Sequence, residues 1–154
     1  MEPILHMSTK QSVATILEKN SNSTINGWIS SVEHNEELTV LFMNRQQRAR
    51  HLGPLLAALV CRLRLGHDAK AIVSNAAREH GIRRCMQGYT VPMIVEESRI
   101  LEVSIFTTLQ DNLANLDGHK VLLDVAMIAD EVDSQLKQAM IGFTERLPKA
   151  GQSH

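Results

Sequence analysis

The chain has 154 residues, 44% of them hydrophobic, 21% charged and the whole at a net charge of −1, enough for one domain with its own core. Its 16 basic and 17 acidic residues nearly cancel, which argues against the clustered positive surface of a nucleic-acid binder and against a polybasic membrane anchor. Only five aromatics occur, Trp28, Phe42, Tyr89, Phe106 and Phe143, so the core is expected to be aliphatic packing between helices.

Helical spacing of apolar residues runs through nearly the whole chain, and no alternating strand pattern exceeds a few residues. Thr9 to Lys19 carries Val13, Ile16 and Leu17 on one face and gives way to the polar Asn20-Ser21-Asn22-Ser23. Thr24 is the expected N-cap of a short helix holding Ile25, Trp28, Ile29 and Val32, and another short helix is expected from Glu36 to Met43. Arg45 to Leu65 has a wide apolar face, with a kink or restart at Gly53-Pro54 because proline fits only a first turn. Asp68 to Gln87 reads as one helix capped by Asp68 and closed by Gly88. Thr90 caps its successor, Val91 to about Leu116, with Pro92 in the first turn.

Asp117-Gly118 then breaks the chain before a final helix from about His119 to Arg146, ~40 Å long at the α-helical rise. Along it Val121, Val125, Ile128 and Val132 form a packing seam. The seam resumes one position out of phase at Leu136, Met140, Phe143 and Leu147, as in a stutter. Two readings stay open: a long core helix, or one whose second half leaves the core to pair with a second copy. The expected fold is all-α, a single helical domain of about six helices, globin-like or a bundle, with a long C-terminal helix. Residues 1–23 are read as a helical arm, 24–147 as the domain and 148–154 as a linker or tail.

Cys61 and Cys85 show no CxxC spacing and read as reduced, half-buried residues. The start, Met1-Glu2-Pro3-Ile4-Leu5, lacks the features of a signal peptide. The longest apolar run, Leu55 to Cys61, is too short to span a bilayer. A cytoplasmic protein is expected.

One polar constellation stands out. On the helix read over Asp68–Gln87, Ala69, Ile72, Val73, Ala76 and Ala77 cluster on one side with His80 in their midst. Arg84 and Gln87 continue that stripe, so a core-facing surface turns polar over its last two turns. The short turn through Gly88 should fold the next helix back antiparallel, bringing Glu97 or Glu102 to His80, Arg84 and Gln87. Tyr89 lies at the mouth of this hairpin. Buried charges persist only when paired, so the expectation is a polar network that fixes the hairpin or forms a ligand or switch site.

Catalytic motifs are missing: no phosphate-cradling glycine loop, no HExxH and no GxSxG. No catalytic residue, metal ligand or cofactor is assigned. Two alternatives remain, a haem bound through His51 or His80, and phosphotransfer at the His67-Asp68 pair.

Glu79-His80-Gly81-Ile82-Arg83-Arg84-Cys85-Met86-Gln87-Gly88-Tyr89-Thr90, followed by Val95-Glu96-Glu97-Ser98-Arg99-Ile100-Leu101, resembles the N-terminal domain family of RsbT co-antagonist (RsbR-type) stress regulators. The same module stands at the front of many bacterial sensor histidine kinases. Trp28, Arg48-Ala49-Arg50-His51-Leu52 and Leu55-Leu56 are similar to that family's first half; Ser98 departs from it, where an aromatic is commoner. The resemblance implies a cofactor-free helical domain that senses or regulates a partner, without catalysis. The family usually precedes a kinase, PAS or STAS domain, which implies a downstream kinase or regulatory domain of the same protein. A homodimer is expected through the long helices, and the charge balance and short apolar runs predict no nucleic-acid or membrane partner.

Overall fold

The computed structural model describes residues 10–71 and 73–148. Among these the chain is all-α. It forms α1 (Val13–Lys19), α2 (Ser21–Glu33), the five-residue α3 (Arg45–Ala49), α4 (Leu52–Leu65), α5 (Asn75–Met86), α6 (Val91–Asp111) and the 26-residue α7 (Val121–Arg146). Two 3-10 turns, Leu113–Asn115 and Gly118–Lys120, join α6 to α7. None of these helices is long and apolar enough to cross a membrane.

Side-chain caps decide where several helices begin. Ser12 accepts from the Thr15 N–H and starts α1, whose Val13, Ile16 and Leu17 are buried. Asn44 and Gln47 form a reciprocal capping box at α3. The restart expected near Gly53-Pro54 occurs at Leu52, which puts Pro54 in the first turn of α4, where its missing N–H breaks no helical bond.

Several expected boundaries move. Thr24 is not a cap: α2 begins at Ser21, and the Thr24 hydroxyl is buried 2.6 Å from that of Thr108 on α6. The division at 23/24 therefore falls inside α2, and α1 belongs to the core rather than to an arm. Thr9 lies outside the described residues, as do 149–154 of the expected tail. Glu36 to Met43 is a turn rather than a helix. Asn35 Oδ1 accepts from the N–H groups of Glu37 and Leu38, the Thr39 N–H closes one turn onto the Asn35 carbonyl, and Arg48 donates to the Leu41 carbonyl, so the segment is tied off by side chains after a single turn. α6 stops at Asp111, five residues short of Leu116. Asn112 closes it through the Thr108 carbonyl, and Leu116 is held in an isolated parallel bridge to Gln11.

The largest shift is at α5. It starts at Asn75 because the Ser74 hydroxyl accepts from the Ala77 N–H; Asp68 caps nothing, Val73 is exposed, and Ile72 lies outside the described residues. Nor does α5 pair with α6 as a hairpin. It lies along α7 instead. A Cβ at Gly81 would come 1.7 Å from the Ala139 carbonyl oxygen, and one at Gly142 would come 2.1 Å from that of Arg78, so the two backbones approach this closely only because both positions are glycine. The second half of α7 is thus held in the core, with Ala139, Gly142 and Phe143 buried.

Candidate functional site

Arg84 sits one turn beyond Gly81, and α5's approach to α7 carries it indoors, leaving it 1% exposed. Such a charge persists only if fully paired. Its Nε donates to Glu97 Oε1 at 2.9 Å, one terminal nitrogen to Gln87 Oε1 at 2.8 Å and the other to the Arg48 carbonyl at 2.7 Å. Glu97, also buried, projects from α6, and its second oxygen accepts from the Tyr89 hydroxyl at 2.6 Å.

The end of α5 aims Tyr89. Gly88 has φ +91°, a left-handed conformation that glycine adopts without steric cost. The Tyr89 N–H bonds to the Arg84 carbonyl at 2.9 Å and the Gly88 N–H to that of Cys85 at 3.2 Å, the pair of bonds that defines a Schellman ending. The chain turns back sharply enough to put the Tyr89 ring 4.8 Å from the Arg84 guanidinium carbon, in cation–π contact.

His80 completes the group. Its Nε2 lies 3.3 Å from Glu97 Oε1 and its Nδ1 3.3 Å from the Nδ1 of His51. Burial pushes the His80 pKa down, outweighing the hydrogen bond to Glu97 that raises it. Burial, then the charges of His80, Arg50 and Arg84, pushes His51 down to about 4. At neutral pH both rings are uncharged. His80 then donates from Nε2 to the carboxylate and accepts at Nδ1, which makes His51 the Nδ1–H tautomer. For Glu97, burial works to raise the pKa. The His80 hydrogen bond and the Arg84 charge overcome it and hold the carboxyl below its ordinary range. Burial, with the charge of Glu97, pushes the Tyr89 phenol up.

No protein-family model matches the chain, and no curated protein or solved structure does either.

Five of the six expected residues, His80, Arg84, Gln87, Tyr89 and Glu97, meet in this network. Glu102 does not. It lies about 140° round α6 from Glu97, is half-buried, and makes no hydrogen bond or ion pair among the described residues. Arg48 was not anticipated. Buried beside the Tyr89 hydroxyl at 3.4 Å, it also ties the 36–43 turn to the site through the Leu41 carbonyl. His51 enters as a hydrogen-bond partner of His80, and with both His80 nitrogens engaged, neither is free to ligate a haem iron.

A second buried group was missed altogether. Arg62 on α4 bonds Glu131 Oε1 at 3.2 Å and Asp130 Oδ2 at 2.5 Å on α7, and Gln135 donates to Glu131 Oε2 at 2.9 Å. Glu131 and Gln135 occupy the buried stripe of α7 itself. A reader following apolar residues alone skips them. His67 also differs from expectation: its Nε2 is 2.8 Å from Asp124, not paired with Asp68. Cys61 is exposed rather than half-buried, whereas Cys85 is half-buried.

Proposed function

We propose that this chain is a non-catalytic, cytoplasmic signal-input domain of a bacterial sensor histidine kinase or RsbR-type stress regulator, working by helix repacking and dimerisation. The observation that carries the reading is the closed network Arg84–Glu97–Tyr89–His80 with Arg48 and His51. It joins the 36–43 turn and α3 to α5 and α6 through charged groups away from water. Replacing such a set by apolar packing commonly leaves a protein as stable or more so. Its value therefore lies in specifying one arrangement over another, as a two-state device requires. α5 bears both the network and the close contact with α7, so displacement of one is felt at the other. The resemblance of Glu79 to Thr90 and Val95 to Leu101 to the RsbR-type module points the same way.

Light scattering on the purified chain, with its visible spectrum recorded on the same sample, tests this. A colourless dimer is expected. A monomer would remove pairing from the mechanism, and a Soret band on adding haem would replace the reading with a haem protein. A second reading, phosphotransfer, draws on the His67–Asp124 contact, since a carboxylate orients a histidine for such chemistry. Phosphate incorporation lost in His67→Gln would favour it.

A further inference from the structure

Behind the network the core is not filled. A pocket with an interior volume of about 40 Å³ lies among α2, α4, α5, α6 and α7, lined by Leu55, Ile94, Val132 and the half-buried Leu136 together with His80 and Glu97 of the network. Gln135 and Ser98, on different helices, also line it, and each has a side-chain oxygen with no hydrogen-bond partner among the described residues. Gln135, 7% exposed, sends its amide nitrogen to Glu131 Oε2 and, at 3.0 Å, to the Leu55 carbonyl. Both partners are acceptors, so the amide orientation is fixed and its oxygen is left over. Nothing among the described residues donates to it. The hydroxyl of Ser98 is equally free, whereas Ser104 and Thr108 further along α6 give theirs to the carbonyls four residues back.

A dry void of this size is lined by apolar groups alone, whereas the free amide oxygen of the buried Gln135 and the hydroxyl of the half-buried Ser98 call for hydrogen-bond partners. An ion is excluded by the apolar walls and by the charges already paired nearby. We infer that this pocket is a ligand site for a neutral molecule of about three heavy atoms, one that donates a hydrogen bond to Gln135 and accepts one from Ser98. A small primary amide has this chemistry. Bridging α6 to α7, such a ligand fixes their spacing, and occupied and empty forms differ in how α7 is seated. The signalling consequence, though not the binding, rests on the input-domain reading. So few atoms hold the affinity to roughly millimolar at best.

Formamide is the probe and xenon the apolar control, followed by methyl and amide NMR on the whole chain. Saturable formamide shifts are expected at the methyl groups of Leu55, Ile94 and Val132. They should weaken about tenfold in Ser98→Ala, since one lost hydrogen bond is worth about that factor, and vanish in Ser98→Leu, which fills the space. Xenon shifts without formamide shifts would make the pocket an apolar void and overturn the inference. So would bound water that formamide fails to displace. Saturable formamide shifts with no response in the α7 amides beyond the pocket would uphold the site and sink the input-domain reading instead.

Discussion

Glu97 holds the network together, because one carboxylate serves Arg84, His80 and Tyr89. Removing either member of a buried pair strands the other charge, so Arg84→Met and Glu97→Leu should each cost about 3–5 kcal/mol in urea unfolding, while the double variant recovers most of that loss. Melting temperatures unchanged in both single variants would mean the charges are solvated. Acid acts at the same place. His51 titrates near its ordinary 6.5 when unfolded but at about 4 when folded, and His80 is shifted in the same direction. The unfolded chain therefore binds protons that the folded one refuses, and stability present above pH 6.5 is lost as pH falls toward 4. Below pH 4.5 protonation of Glu97 in the unfolded chain adds to the loss. The melting temperature should drop between pH 7.5 and pH 5, less steeply in His51→Leu; a flat profile would count against a neutral imidazole pair. His80, Arg84 and Gln87 were legible because a helical stripe that turns from apolar to charged has to find partners. Arg48 was not legible, since its place depends on a five-residue helix more than 30 positions upstream. Glu102 was misread by following apolar neighbours rather than the face that Glu97 shares with Ile100, Leu101 and Ser104.

Among the helices, the crossing of α5 over α7 makes the most exacting demand on the sequence. Gly81→Ala and Gly142→Ala each add a methyl group where a backbone carbonyl already stands. Each should destabilise by about 1–3 kcal/mol or more, despite alanine's higher helix propensity. Gly53→Ala, with open space around its Cβ, should be neutral or stabilise by up to about 1 kcal/mol. Thermal unfolding of the three variants separates crowding from propensity, and equal effects at all three would refute the steric account. The same crossing explains the apparent stutter in α7. Its buried stripe runs without interruption through Ile128, Glu131, Val132, Gln135, Ala139 and Phe143. Because small and polar residues occupy the middle of that stripe, a search for large apolar side chains finds a shifted phase where the helix has none. Helix existence was legible from periodicity. Helix starts depended on which hydroxyl or amide won the cap, and Ser74 and Ser12 could be recognised as caps only once the chain was folded around them.

At the scale of the molecule, an all-α fold with a long C-terminal helix was readable from the sequence, but the partner of each helix was not. Adjacent helices joined by a short turn were expected to pack together, yet α5 turned from α6 to α7, which follows it only after more than 30 residues. Chain order predicts neighbours well only when both faces are apolar. α5 has little apolar surface to offer: its buried positions are Ala77, Gly81 and Arg84. Its hold on the rest therefore relies on backbone proximity and on hydrogen bonds, with the non-helical residues 66–71, 73 and 74 on one side. Such an element opens at lower free energy than the aliphatic core around it. Native-state hydrogen exchange should find the α5 amides exchanging through a partial opening well below the global unfolding free energy, while α6 and the first half of α7 exchange only on complete unfolding. The rest of the fold would then serve as a platform from which one segment detaches and returns, and the chain would have a reversible excited state whose population, rather than its ground-state shape, is what any regulator of this protein has to change.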